Sequence, residues 1–371
     1  MSTDRNDTLN VGVIGVGSPQ SWAREAHVAA IRAVPGLELL AVATRDRDTA
    51  QSTAGDLGAR RGYGDALELI HDDDLDIVTV GAPVPAHREL ILAALRAGKH
   101  VVTEWPVGTC TTQTQEITDA AARSGLHTAV GLQARMSPAA VQARELIRCG
   151  ALGRVLTVSV YSSTAAFGPA VTKQSLHLED PRTGMNLTTI QAAHTIDLAV
   201  YLAGSLTSLA VLRTVRFPEL TIADADEASA DTFHRTLPDH VLLQGRLASG
   251  GALAVQVVGG RPADDAPFRL DVDGELGTLS LEGGGARGFQ ASVLRLRQDG
   301  KPVDTRDAMA ADLPDSVVNV AHVYAALRDD IASGIANAPG FRDAVHLSHL
   351  IDDLITADTE LRTVTPTAPW Q

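Results

Sequence analysis

Cysteine is nearly absent from this chain: Cys110 and Cys149 are the only two among 371 residues. Neither a disulfide framework nor a cysteine-rich metal site can be built from them. Long apolar runs are missing as well, and none approaches the roughly 18 residues that a bilayer-spanning helix requires. The stretch from Met1 to Asn10 is polar and lacks the apolar core of a signal peptide, so a cytoplasmic location is the expectation. Basic charge is scarce: 31 Lys and Arg stand against 45 Asp and Glu, a net −14 at pH 7. That balance argues against nucleic acid or an anionic membrane as partner and leaves a small molecule or a protein. No internal repeat and no low-complexity segment interrupts the chain. The acidic run His71-Asp72-Asp73-Asp74 reads as a solvated turn, and no metal site is expected.

What is present is the composition of an ordinary globular protein, 44% hydrophobic and 20% charged, long enough for two domains. The organising stretch is Val11-Gly12-Val13-Ile14-Gly15-Val16-Gly17. A short apolar strand ending in closely spaced glycines, with a helix behind it, is the form of a nucleotide-binding turn. Gly15 lets the chain leave the strand tightly, and Gly17 leaves room for a pyrophosphate to reach backbone N–H groups. The third glycine of the usual fingerprint is absent, and Ser18-Pro19-Gln20-Ser21-Trp22 makes a bulkier connection.

Strand and helix then alternate. A helix is expected over Trp22–Val34, stopped by Pro35-Gly36, and strands over Leu37–Thr44, Arg61–Tyr63, Asp76–Val80, Lys99–Thr103 and His127–Gly131. Helices are expected over Asp65–Ile70, from Pro85 to Gly98, and over Thr112–Ser124. The alternation implies right-handed crossovers and a parallel, doubly wound sheet. At the end of the second strand an acidic residue would favour NAD; here stand Thr44 and Arg45, which suit a 2′-phosphate, so NADP is expected with NAD as the alternative. Glu104-Trp105-Pro106 lies at the carboxyl end of the fifth strand, where open parallel sheets hold ligands.

The second half has another rhythm. After a helix over Pro138–Cys149, strands are expected over Val155–Tyr161, Leu209–Arg216, Val241–Leu247, Ala252–Val258, Phe268–Val272 and Val293–Arg297. A long helix over about Leu187–Leu202 interrupts them, and helical periodicity returns from Ser316 to Leu361 with a break at Pro339-Gly340. The expectation is α/β: a Rossmann domain over 1–135, then an α/β domain over 136–371 with a mainly antiparallel sheet of some six strands. Its second half has too few helices to cover both sheet faces, which points to a homodimer or larger homo-oligomer.

Taken together, the opening glycines with His27, Gly81-Ala82-Pro83 with His87, and Ala97-Gly98-Lys99-His100-Val101 leading to Glu104-Trp105-Pro106 are distinctive. With Gly131-Leu132-Gln133-Ala134-Arg135 and His194-Thr195-Ile196-Asp197, they resemble the Gfo/Idh/MocA family over nearly the whole length. The resemblance implies NAD(P)-dependent oxidation or reduction of sugars, polyols and related compounds. It also implies cofactor contacts at Gly15, Val16, Gly17, Trp22, Thr44, Arg45, Ala82, Pro83, His87, Glu104, Trp105 and Gln133.

Two departures stand out. Family dehydrogenases read Glu-Lys-Pro where this chain has Trp105, and many place Asp four residues before the second-domain histidine, where this chain has Ile190. Lys99 belongs to the strand entry and does not replace the missing lysine. Trp105 can donate a hydrogen bond but cannot relay a proton. His194 is then the expected general acid/base, with Trp105 as a wall of the site and His177 and Lys173 as further proton-handling candidates. Glu-Trp-Pro, Ser21-Trp22-Ala23 and Asn186-Leu187-Thr188-Thr189-Ile190 resemble a sub-branch containing the fungal galactose-regulon corepressor, which keeps the dinucleotide site but acts as a regulator. Two readings therefore stand: an oxidoreductase acting on a small molecule, or a catalytically silent NADP-binding sensor acting through a protein partner.

Overall fold

The computed structural model describes residues 8–224, 232–305, 307, 309 and 311–359. By chain contacts it divides into two compact units, residues 1–133 with 308–345, and 134–307 with 346–371.

The first unit is built on a six-stranded, wholly parallel sheet. Its strands are β1 (Leu9–Ile14), β2 (Leu37–Ala43), β3 (Arg61–Tyr63), β4 (Ile77–Val80), β5 (His100–Thr103) and β6 (Thr128–Val130), in the order β3-β2-β1-β4-β5-β6. That is the doubly wound dinucleotide-binding order. Val11, Val13, Val42, Ile77, Val78, Val101 and Val102 are all buried, which explains why these strands read as continuous apolar runs. The helix Asp315–Ser333, far along the chain, packs on the first helix of this unit, Val28–Ala33. Pro339, just beyond it, accepts the backbone N–H of Val130 on β6 at 2.8 Å.

One helix of this unit, Arg47–Asp56, is absent from the sequence reading. Its buried residues are only Ala50, Thr53 and Ala54, too small and polar to make an apolar period. Its start is nonetheless well marked, because Asp46 accepts the backbone N–H of Asp48. The expected helix over Trp22–Val34 begins as a wider, π-type turn over Ala23–His27 before the α-helix Val28–Ala33.

The second unit centres on an eight-stranded sheet, two strands more than expected. Its strands are β7 (Val155–Ser163), β9 (Leu206–Thr214), β12 (His240–Leu247), β13 (Ala252–Val258), β14 (Pro267–Gly274), β15 (Thr278–Gly284), β16 (Arg295–Gln298) and β17 (Lys301–Val303). All neighbours are antiparallel except β7 and β13. A small separate sheet joins β8 (Ala170–Val171), β10 (Glu219–Ile222) and β11 (Thr232–His234). The α/β class, with a parallel Rossmann sheet and then a mainly antiparallel one, is thus as expected. β15 escaped the sequence reading because its Leu279 and Leu281 alternation runs into Gly283-Gly284-Gly285, which reads as a turn.

Alternation on these strands separates two faces. Val158, Val160, Val241, Leu243, Val255, Phe268, Leu270 and Leu281 are buried, and the helices Pro138–Arg148 and Ala193–Ala203 pack on the sheet. The opposite face carries Ser159, Tyr161, Gln244, Ala254 and Gln256, with Leu212 49% and Leu242 37% exposed. It forms a shallow depression of about 450 Å³ reaching Arg269 and Asp271. The expected break in the C-terminal helical stretch is present: helices run over Asp315–Ser333 and Phe341–Thr359, while the expected end at Leu361 lies outside the described residues.

Candidate dinucleotide and proton-handling residues

The turn after β1 is built around one glycine. Gly15 has φ +100°, and a Cβ on it would lie 2.4 Å from the carbonyl oxygen of Gly81. Any other residue would be strained and would collide with the turn after β4. Gly17 differs: a Cβ there would meet only Thr44, at 3.7 Å, so the space above it is open. Val16 is buried and Trp22 half-buried at the head of the π-type turn.

At the end of β2 the two residues expected to meet a 2′-phosphate fare differently. Thr44 is buried, and its hydroxyl donates to the carbonyl oxygen of Asp46 at 2.7 Å, so it serves the turn into the next helix. Arg45 is exposed and joins no ion pair among the described residues, whereas its neighbour Arg47 is held by Glu68 at 3.1 Å. A guanidinium left without a carboxylate at this position fits an incoming phosphate.

At the carboxyl ends of β4, β5 and β6 the polar side chains interlock. His87 is 1% exposed, with Nε2 2.8 Å from the Ala82 carbonyl oxygen and Nδ1 3.0 Å from that of Pro106. It thereby ties the turn after β4 to the cis Trp105-Pro106 turn after β5. Only an imidazolium can donate to both carbonyls, yet burial pushes the His87 proton affinity below the usual histidine value. Pro83 is exposed and Ala82 half-buried beside it. Trp105 is buried at 7% exposure. Glu104 meets His27, Nε2 to Oε1, at 2.7 Å. Gln133 is buried, and its side-chain oxygen is without a partner among the described residues. The orphaned amide oxygen, the open space at Gly17 and the unpaired Arg45 together fit a dinucleotide along this edge.

Lys99 is removed from any such role. It is buried, and its ammonium donates to the Asp72 and Leu75 carbonyl oxygens, both at 2.8 Å. Asp72 in turn holds Arg61 at 2.6 Å and Tyr63 at 2.8 Å, so the acidic run is a tied turn. Among the described residues no group of His, Cys, Asp and Glu is placed to hold a metal.

In the second unit His194 is buried at 4% exposure, one residue into the helix Ala193–Ala203. Asp197, one turn on, takes Arg135 in a bidentate pair, Nε to Oδ2 at 2.8 Å and Nη2 to Oδ1 at 2.5 Å. Both partners are buried, so this carboxylate is committed to Arg135. His177 and Lys173 are exposed on the 3₁₀ segment Lys173–Glu179, which the sequence reading took as a loop. The segment is anchored by its last residue: buried Glu179 accepts Arg235 at 2.6 and 2.9 Å, and Arg235 also reaches Asp239 at 3.1 Å. Nearby Arg182 holds the Asp180 carboxyl down at about 2.

Sequence reasoning missed Tyr324 and Thr79. Tyr324 is fully buried, 2.8 Å from His27 Nδ1 and 2.7 Å from the Thr79 hydroxyl. No local signal marks it, since His27 lies 297 residues away along the chain.

Two family models match separate parts of the chain. Residues 9–132 match the model of the Gfo/Idh/MocA oxidoreductase family, NAD-binding Rossmann fold, and residues 138–283 match that of the Gal80p C-terminal domain. Dehydrogenase aclE of Aspergillus oryzae is 27% identical over 282 residues, covering 74% of this chain and 77% of that protein. The galactose/lactose metabolism regulatory protein GAL80 of Kluyveromyces lactis is 27% identical over 291 residues, 74% of this chain. That match spans 64%, under two thirds, of the regulator's own length. Among solved structures, levoglucosan dehydrogenase in complex with NADH superposes with a TM-score of 0.83 at 20% identity, covering 97% of this chain and 99% of that one, a likeness of fold. No helix among the described residues is long and apolar enough to cross a membrane. The first part of the chain is thus similar to the Gfo/Idh/MocA oxidoreductase family and the second to the Gal80p C-terminal domain, a combination that resembles both dehydrogenases and Gal80p.

Proposed function

We propose that this protein is an NADP(H)-dependent oxidoreductase. It would transfer hydride to or from a sugar, sugar nucleotide, polyol or related ketone or imine. The observation that carries the reading is the glycine turn at Gly15 and Gly17 with an unpaired Arg45 at the end of the neighbouring strand. With the Gly15 N–H given to the Ala43 carbonyl oxygen, the backbone N–H groups of Val16 and Gly17, beside Trp22, would hold the pyrophosphate, and Arg45 the adenosine phosphate, the Thr44 hydroxyl being spent on Asp46. Ala82, Pro83, His87, Glu104, Trp105 and Gln133 would line the nicotinamide end. When bound, the cofactor supplies the hydride chemistry. His194 would move the proton and Trp105 would wall the site, with His177 and Lys173 in reserve. In this reading 1–135 is the cofactor domain and 136–371 the substrate and oligomerisation domain of a cytoplasmic protein. The open face of the eight-stranded sheet, with Leu212 and Leu242, would meet a second copy of the chain.

The loss of two proton-handling groups, at Trp105 and Ile190, favours a second reading: a catalytically silent NADP sensor that contacts another protein. One experiment separates them. The protein is incubated with NADPH or NADP and a panel of sugars, polyols, ketones and imines, and the absorbance of the reduced nicotinamide is followed. Turnover of one class supports the enzyme. Tight NADPH binding without turnover, together with nucleotide-dependent capture of a protein, supports the sensor.

A further inference from the structure

We infer that Tyr324 is a positioning residue for the dinucleotide edge: acting through His27, it fixes the carboxylate of Glu104. The inference rests on the reading of that edge as a nucleotide site.

Four polar side chains form one line. Glu104 Oε1 lies 2.7 Å from His27 Nε2, His27 Nδ1 lies 2.8 Å from the Tyr324 hydroxyl, and that hydroxyl lies 2.7 Å from Thr79 Oγ1. The Tyr324 ring also stands edge-on to the imidazole, 86° between planes and 5.7 Å between centroids. His27, Tyr324 and Thr79 are at most 1% exposed. Glu104 alone reaches the surface, with its side chain 21% exposed. The line therefore opens at a single point, the carboxyl end of β5.

Two further features bear on the carboxylate's position. A Cβ on Gly131 would lie 2.6–2.8 Å from the Glu104 carboxylate atoms, so a larger residue there would push the carboxylate out of its present place. Gln133, whose side-chain oxygen is without a partner among the described residues, lines the same small cavity as Glu104, His27 and Tyr324. Burial raises the Tyr324 phenol far above its ordinary value, so it keeps its proton and stays a donor. Hydrogen bonds of this kind contribute little net stability over their apolar replacements. What the line does supply is orientation, because His27 bridges two fixed groups and cannot turn without breaking one of them.

Tyr324→Phe tests this in the full-length chain, since it removes the hydroxyl and keeps the ring. Thr79→Val is the milder companion and removes only the distal partner. NADPH dissociation constants are measured by fluorescence for the native protein, for each variant, for Glu104→Gln and for Tyr324→Phe with Glu104→Gln. His27 imidazole nitrogen NMR reports tautomer populations without nucleotide. The expected result is a Kd about fivefold weaker for Tyr324→Phe, a shifted His27 tautomer balance, and less than about a twofold further effect in the Glu104→Gln background. A Kd within twofold of native for both Tyr324→Phe and Thr79→Val, or fully additive effects with Glu104→Gln, overturns the inference even if thermal stability falls. Failure of the native protein to bind either NADPH or NADH instead overturns the nucleotide reading, and this inference with it.

Discussion

The proposed nucleotide edge of the first unit and the candidate proton-handling residues of the second are built in opposite ways. At the first, polar groups are buried and answer one another: His87 spans two turns, His27 joins Glu104 to Tyr324, and Thr103 donates to the Val80 carbonyl oxygen at 3.0 Å. In the second, His194 is buried within a helix while His177 and Lys173 stand exposed on a 3₁₀ segment that Glu179 pins from below. In the proposed reading, a backbone turn and the side chains that lace it would make the nucleotide platform. Proton chemistry depends on where a side chain's own environment puts it, and here one histidine is sheltered and the other solvated.

The sharpest way to break this contrast is to remove the sheltered histidine. His194→Ala should lower turnover by about 10²–10⁴-fold while leaving NADPH affinity within a factor of about two. Intact turnover would shift the role to His177 or Lys173, whose Ala variants are otherwise expected to be mild. On the nucleotide side, Arg45→Ala should remove a charge-assisted contact worth about 1.5–3 kcal/mol and narrow the preference for NADPH over NADH by roughly ten- to a hundredfold. Titrations of both nucleotides into both proteins measure it.

How far the contrast could be read from the sequence follows from its physics. Glycine spacing, strand periodicity and the reversal from β2 to β4 across β1 are local or short-range signals, so the parallel sheet and its glycine turn were legible. Tyr324 was not, because its meaning comes only from a helix that returns after nearly 300 residues to the first helix of the chain. Arg135 with Asp197, and Glu179 with Arg235, were hidden for the same reason: each pair joins residues distant in sequence. Thr44 was read by residue type alone. Its hydroxyl turned out to serve Asp46, which leaves Arg45 as the stronger mark of a phosphate.

Two smaller effects sharpen the comparison further. If the open face of the eight-stranded sheet meets a second copy, Leu212→Glu with Leu242→Glu should convert the native oligomer to a monomer in light scattering, with little change in far-UV circular dichroism. A native protein that is already monomeric at micromolar concentration would contradict this. The least effect concerns pH. His87 has its proton affinity lowered by burial, and so do His100 and, in the second unit, His240. The folded state therefore binds fewer protons than the unfolded chain just below the ordinary histidine value of 6.5. Stability should be complete above that value and fall as pH drops from there through the lower folded values. Denaturant midpoints measured stepwise through this range should decline in the native protein and decline less steeply in His87→Gln.

The central claim is that the first unit holds a dinucleotide carrying a 2′-phosphate. Paired fluorescence titrations of NADPH and NADH into the native protein, at one salt concentration and neutral pH, test it most directly. The account predicts NADPH binding at least about tenfold tighter than NADH, since one charge-assisted contact separates them. Equal affinities, tighter binding of NADH, or binding of neither would contradict it.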